Sequence, residues 1–341
     1  EKTALAVGKE LGIDQGQPRV FHGRELENAE AVDEQKRKEL LEGAIFYRVS
    51  PEQKLALISL HQQNRAIVAM TGDGVNDAPA LKKSDIGIAM GQRGEPVAEE
   101  ASDILLQDDR FATINTAIEH GRTIFENIRK FVLYMISGNV GEILIVMAAT
   151  LAGAPLPLLP LQILYINAVN DIFPALALGV GAGSKAVMHR PPRDPSEPIL
   201  TRRHWYVIGG YGVLIGGSVL LGFFLSLAVF DWGVERAVTT SFLSIAFARL
   251  WHVFNMRERG SDFFRNQVTQ NGFVWAALAL CTGLLFFAVY FPPLATALDV
   301  VRPDLAGWSF IIGISFVPVL IGQIAKKITS VRTRKKGGKL S

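Results

Sequence analysis

Cysteine is almost missing from this 341-residue chain: its single thiol, Cys281, lies inside an apolar run, so no disulfide framework holds the fold. Histidine is scarce as well, and the six copies form no pair at metal-ligand spacing within the apolar stretches. The net charge of +3 is too small to imply a nucleic-acid partner. Glu1 to Leu11 is charged and amphipathic, which excludes a secretory signal there, and a start at Glu1 rather than Met reads as a cut from a longer chain. The most informative scarcity is of charge. Between Lys130 and Lys185 only Glu142 and Asp171 are charged, and both are acidic.

What is present is apolar and unevenly placed: 49% of residues are hydrophobic and the mean hydropathy is +0.25. Residues 1–111 read as an ordinary charged globular sequence, which alternates strand and helix signals. Ile45–Ser50 is a short β-type run, and Pro51 opens a helix that carries Leu55, Leu57, Ile58 and Leu60 up to about Asn64. Ala66–Thr71 is a continuous apolar strand of the kind buried on both faces, followed by strands at Ile86–Met90 and Asp103–Leu106. Alternating units of this kind predict an α/β domain with a Rossmann-type parallel sheet covered by helices. Ligands in such sheets bind at the carboxyl ends of strands, which directs attention to the loop after Thr71.

A helical stretch without proline follows over 112–130 and reads as a stalk continuous with the first of six apolar segments. These segments, about 131–151, 158–180, 205–230, 237–255, 272–291 and 307–325, are each long enough to cross roughly 30 Å of hydrocarbon. The second part of the chain is therefore expected to be an all-α six-helix transmembrane domain in contact with membrane lipid. Connector 181–203 holds five Lys and Arg, 256–271 three and the tail 326–341 seven, whereas the opposite connectors hold only Arg236 and Arg302. The positive-inside rule then puts the first domain and the C-terminal tail in the cytoplasm of a multi-pass protein. Arg249, towards the cytoplasmic end of its span, reads as a side chain that snorkels to the interface. Gly212 and Gly216 read as a close helix contact.

The string Thr71-Gly-Asp-Gly-Val-Asn-Asp-Ala-Pro-Ala-Leu81 stands directly after the apolar strand. It places two carboxylates, Asp73 and Asp77, and the amide of Asn76 at a strand end, with Gly72 and Gly74 allowing a tight turn and a close ligand. Hard oxygen ligands of this type suit Mg²⁺, which takes one or two carboxylates plus phosphate oxygens. Lys54 can add a point charge for the same phosphoryl group. Singly, an Asp-Gly pair is a turn and a lone Lys is a solvated side chain.

The whole string resembles the hinge signature of P-type ATPases, whose phosphorylation domain is haloacid-dehalogenase-like. Arg48-Val-Ser-Pro-Glu-Gln-Lys54 and Lys82-Lys-Ser-Asp-Ile-Gly-Ile-Ala-Met-Gly91 extend the likeness. The resemblance implies Asp73 as Mg²⁺ ligand, Asp77 as support for metal and loop, Asn76 as donor to the phosphoryl group and Lys54 as its neutraliser. It also implies ATP as the energy source. No Asp-Lys-Thr-Gly or Thr-Gly-Glu-Ser string occurs, so the family's phosphorylated aspartate, dephosphorylation motif, nucleotide domain and first four spans would lie before Glu1. The remaining N-terminal part of the same pump is thus the expected partner, and this portion alone is expected not to hydrolyse ATP.

Within the membrane, Asn139 and Glu142 (i, i+3) share a face of the first span, and Asn167, Asn170 and Asp171 share a face of the second. A mid-bilayer carboxylate costs ~2.5–3.5 kcal/mol or more, so it marks function by default. Pro174 has no N–H and removes the helical partner of the Asn170 carbonyl, which is expected to face a cavity or a ligand. Two acids, three amides and a free carbonyl form an all-oxygen cage suited to Ca²⁺, Na⁺ or K⁺ rather than Cu⁺ or Zn²⁺. The alternative reading is polar glue between helices. Two like charges, however, repel unless a cation lies between them.

Ser137-Gly-Asn-Val-Gly-Glu142 resembles the fifth helix of calcium-transporting P-type ATPases of the sarcoplasmic-reticulum and bacterial type. Asn167-Ala-Val-Asn-Asp171 with Pro174 resembles their sixth, with Asn170 where threonine is usual. In the eighth, Arg259, beside Glu258, is read at the place of a glutamate ligand, which would disfavour a second Ca²⁺. The expectation is ATP-driven Ca²⁺ export of about one ion per cycle, with possible proton counter-transport, in a membrane taken to be the bacterial inner membrane. Other open readings are a Na⁺/K⁺ or Mn²⁺/Mg²⁺ pump, a channel-like protein fused to a phosphatase domain, and a truncated non-catalytic membrane subunit.

Overall fold

The computed structural model describes residues 1–13, 18–26, 33–184, 186–194, 196–258, 261–262 and 264–337. They divide into two units, Glu1–Ala117 with Arg193–Ser196, and Ile118–Pro192 with Glu197–Ser341.

In the first unit α1 (Lys2–Glu10), β1 (Val20–His22), α2 (Glu34–Leu41), β2 (Ile45–Tyr47), α3 (Pro51–Gln63), β3 (Ala69–Gly72), α4 (Ala78–Lys83), β4 (Ile86–Met90), α5 (Pro96–Ala101) and β5 (Ile104–Leu106) follow one another. The start of α3 is fixed by its sequence. Ser50 accepts from the Gln53 amide, the Gln53 side chain accepts from the Ser50 amide, and Pro51 supplies a helical φ at the first position. The strands pair in parallel as two small sheets, β1-β2 and β3-β4-β5. The core sits on β4, whose last four residues are buried, with Leu81, Ala98 and Leu106 packed around them.

β3 departs from the expectation of a strand buried on both faces. It begins at Ala69 rather than Ala66, occupies a sheet edge, and is mostly half-exposed; Ile67 before it is 59% exposed. An apolar run signals burial in a complete sheet, and here one flank of β3 pairs with nothing among the described residues. A cavity of about 460 Å³ lies along it, between Phe46, Val49 and Leu57 on one side and Val68, Ala69 and Met70 on the other.

The second unit is helical. A single 41-residue helix, α6 (Phe111–Leu151), runs through both the expected stalk and the first span. After it come α7 (Pro160–Ile166), a π-helical turn (Asn167–Asp171), α8 (Ile172–Gly179), α9 (Arg202–Ala228), α10 (Gly233–His252) with a 3₁₀ turn (Val253–Met256), α11 (Gly272–Tyr290), α12 (Pro292–Ala297) and α13 (Leu305–Gly337). Six segments are long and apolar enough to cross a membrane: Phe111–Leu151, Pro160–Gly179, Arg202–Ala228, Gly233–Met256, Gly272–Tyr290 and Leu305–Ile328. α10 is the central one. Every residue from Ala237 to Leu250 is buried, whereas the outer helices leave residues such as Leu151, Leu164 and Leu320 exposed, as a lipid-facing surface requires.

Small residues set the closest helix approach. A Cβ at Gly216 of α9 would stand 2.8 Å from the Gly141 carbonyl oxygen of α6, and one at Gly212 would stand 2.5 Å from Val140. The connector after α8 is tied back to α6. Arg122 donates to the carbonyls of Val187 and Arg190, Arg129 to that of Ile199, and Asn127 to those of Gly179 and Gly181. Arg190 also pairs with Glu126. These contacts anchor the connector to α6.

Candidate functional site

Two groups of candidate residues lie in different units. In the first unit Thr71 and Gly72 end β3, Val75–Asp77 forms a 3₁₀ turn, and Ala78 with Pro79 starts α4. This geometry puts Asp73 and Asn76 on the surface and Asp77 half-buried behind them. The Asp73 backbone oxygen accepts from the Glu95 amide at 2.8 Å, while its carboxylate takes no hydrogen bond from the described residues. Lys54, one turn into α3, donates to the Asp77 carboxylate.

Gly72 does not adopt a left-handed conformation, and Gly74 is extended at φ −119°. Gly72 matters through space instead: a Cβ there would stand 2.5 Å from Asp77 Cβ and 3.0 Å from its Oδ2. Among the described residues no cluster of three or more His, Cys, Asp or Glu could by itself hold a metal. An exposed, unbonded carboxylate beside a second one is nevertheless a fitting donor set for Mg²⁺, which completes its shell with water and phosphate oxygens.

In the second unit the sequence-predicted cage residues converge on a side chain that sequence reasoning had assigned elsewhere. Arg249 of α10 is 1% exposed and does not snorkel. Its Nη1 donates to Glu142 Oε2 at 3.3 Å and to Asn167 Oδ1 at 3.1 Å. Its Nη2 donates to Asn139 Oδ1 at 2.9 Å and to Asp171 Oδ1. Glu142 and Asp171 are 5% and 8% exposed. Two carboxylates from separate helices thus share one guanidinium, the bidentate, planar donor best suited to that task.

Depth and a supply of acceptors keep Arg249 inside the bundle. Arg249 stands seven residues before Met256, about 10 Å along the helix from that end, and four oxygens lie within reach where it is. The signal was present in the sequence, since an arginine inside a span deserves the same functional reading as Glu142 and Asp171. Gly138 of α6 completes the arrangement: a Cβ there would be 2.6 Å from Arg249 Nε. Arg259, which was expected to hold the analogous position, lies outside the described residues, and Glu258 pairs with Lys130 at 3.8 Å.

Asn170 is only partly in the cage. Its Nδ2 donates to the Ala246 carbonyl at 2.7 Å, while its Oδ1 has no partner. The carbonyl freed by Pro174 does not face a cavity; the buried hydroxyl of Tyr134 donates to it at 2.9 Å. Pro174 itself is buried in α8, just after a π turn that the sequence had not announced. Such turns recur at functional sites. Here it covers Asn167, Asn170 and Asp171 together. Glu142 Oε1 and Ser137 Oγ are also buried without a partner, so the cage retains oxygen acceptors that Arg249 does not use.

The model of the family described as the C-terminus of cation-transporting ATPases matches residues 155–328. The chain is 40% identical over 321 residues to a calcium-transporting ATPase of Bacillus subtilis, covering 94% of the chain and 36% of that protein. It is 35% identical over 336 residues to the human calcium-transporting ATPase type 2C member 1, with coverage of 98% and 36%. It is also 35% identical over 295 residues to a cation-transporting ATPase of Synechocystis, covering 83% of the chain and 32% of that protein. The chain therefore spans about a third of the length of these relatives.

Proposed function

Because the chain belongs to the cation-transporting P-type ATPases, as a C-terminal portion of that family, we propose that it is the ion-binding and phosphate-handling part of an ATP-driven calcium pump. The observation that carries this reading is that buried Glu142 and Asp171 meet on one positive charge between helices.

The charge count bears on stoichiometry. Two carboxylates and one guanidinium leave one formal negative charge, so one divalent ion raises the cage to +1 and a second would raise it to +3. The low-dielectric interior penalises the latter heavily, which supports transport of about one Ca²⁺ per cycle, with Arg249 holding the acids together once the ion departs. An all-oxygen donor set, including the unpartnered Glu142 Oε1, supports Ca²⁺ over softer metals.

On the phosphate side, Asp73 and Asp77 would hold Mg²⁺, which supplies charge neutralisation for the transferring phosphoryl group. Lys54 exchanges its contact with Asp77 for a phosphoryl oxygen, and the exposed Asn76 amide donates to another. The haloacid-dehalogenase-like sheet is completed by strands from the N-terminal part of the same pump, which fill the cavity beside the free edge of β3. That part would also carry the phosphorylated aspartate and most of the ATP site, so residues 1–341 alone are inactive. The α6 helix links phosphorylation to the cage, with the first unit and the tail on the cytoplasmic side of a bacterial inner membrane.

The test is cation-stimulated ATPase activity of the complete pump, screened over Ca²⁺, Mn²⁺, Na⁺ and K⁺. Ca²⁺ stimulation that Asp171→Asn abolishes supports the proposal. Full ion-stimulated turnover in that variant would remove Asp171 from the site.

A further inference from the structure

A cavity of about 500 Å³ opens between α6, α9, α13 and the turn after α10, all within the helical unit. Its lining is divided by depth. On α9, Arg203 stands at the helix start, and Val207, Tyr211 and Leu214 follow on the same face, reaching about 16 Å deeper. Lys130, Arg257 and Lys326 join Arg203 at the shallow end, where Leu133 and Met256 begin the apolar floor.

Two of these cations are held in place by neighbouring polar groups. Lys326 donates to the carbonyls of Asn255 and Arg257. Arg257 is held by Gln323 Oε1 at 2.7 Å and the Ser261 carbonyl at 2.7 Å. Among the described residues neither Arg203 nor Arg257 has a carboxylate within ion-pair distance, and Glu258 pairs with Lys130 at 3.8 Å. A basic rim above an apolar slot matches a molecule with an anionic head and a hydrocarbon body. Free phosphate has no use for the slot, and an apolar helix has none for the rim.

We infer that this cavity is a binding site for one anionic phospholipid, its phosphate among Lys130, Arg203, Arg257 and Lys326 and its acyl chain along Val207, Tyr211 and Leu214. Basic pockets between spans recognise such headgroups, and each cation near the surface contributes about a fivefold preference. The site is separate from the ion cage and independent of which cation is carried.

The test is native mass spectrometry of the complete pump, released from detergent after titration with palmitoyl-oleoyl phosphatidylglycerol or the matching phosphatidylcholine. Wild type is expected to keep one phosphatidylglycerol adduct at energies that strip phosphatidylcholine. Arg203→Gln is expected to lower that retention about fivefold. Arg202→Gln, the same charge change at a residue that does not line the cavity, is expected to leave it unchanged. Val207→Trp keeps every charge but fills the slot, and is also expected to lose the adduct. Equal retention of the two lipids, an equal loss in Arg202→Gln, an unaffected Val207→Trp, or displacement of the adduct by millimolar inorganic phosphate would each overturn the proposal.

Discussion

Gly138 and Arg249 face each other so closely that a single methyl group on Gly138 would stand 2.6 Å from Nε and 3.0 Å from Cζ of the guanidinium. Neither can change alone, because the carboxylates of Glu142 and Asp171 fix the other side of Arg249. Gly138→Ala is therefore expected to push Arg249 off its acceptors and lower the apparent cation affinity of the complete pump by about tenfold or more, equivalent to ~1.4 kcal/mol. Gly209→Ala, where a Cβ meets nothing within 4 Å, is the control and is expected to behave as wild type. Titration of ATPase activity against free Ca²⁺ checks both.

Arg249→Met keeps the volume and removes the charge. The two buried acids then lack their counter-charge, and loss of one partner from such a pair costs about 3–5 kcal/mol. The expected signature is a lower unfolding temperature in chelator and recovery in millimolar Ca²⁺, since an ion can take the place of the guanidinium. A variant whose unfolding temperature is as high as wild type and indifferent to cations would show that Arg249 does not neutralise the pair.

Tyr134→Phe tests the π turn. The Tyr134 hydroxyl meets the Asn170 carbonyl that Pro174 leaves without its usual donor. Removal of the hydroxyl orphans a buried acceptor, at a cost of ~1–3 kcal/mol. Thermal denaturation of the complete pump in detergent is expected to reveal that loss, together with weaker ion affinity, because Asp171 closes the same turn.

Gly72→Ala addresses the phosphate side. The added Cβ would displace Asp77 and with it the contact to Lys54. The amount of acid-stable phosphoenzyme formed from ATP is expected to fall about tenfold or more, while Ca²⁺ binding measured without nucleotide stays unchanged. Wild-type levels of phosphoenzyme would separate Gly72 from the positioning of Asp77.

Much of this arrangement was legible in the sequence because the signals were local. Twenty-residue apolar runs are long enough to identify themselves: the last five segments in the structure lie within a few residues of them at each end, and the first ends at Leu151 as expected but begins at Phe111, continuous with the stalk. Glu142 and Asp171 stood out because nothing else in a long stretch was charged. Legibility ended where partnership between distant residues decides the outcome. Arg249 lies 107 positions from Glu142 and 78 from Asp171, so its contacts could not be read from spacing, and a plausible local explanation, snorkelling, concealed it. The Tyr134–Asn170 bond was hidden for the same reason. β3 was misread in the opposite sense: its apolar run reports burial in a complete sheet, and the described residues supply only one of its neighbours.

The most direct measurement is the number of Ca²⁺ ions occluded per phosphorylation site in the complete pump, counted with radioactive calcium after trapping and removal of free ion. A ratio of about one, falling to background in Asp171→Asn, is the result expected of a cage in which Arg249 already fills part of the charge. A ratio of about two, or occlusion that survives Asp171→Asn, would contradict it.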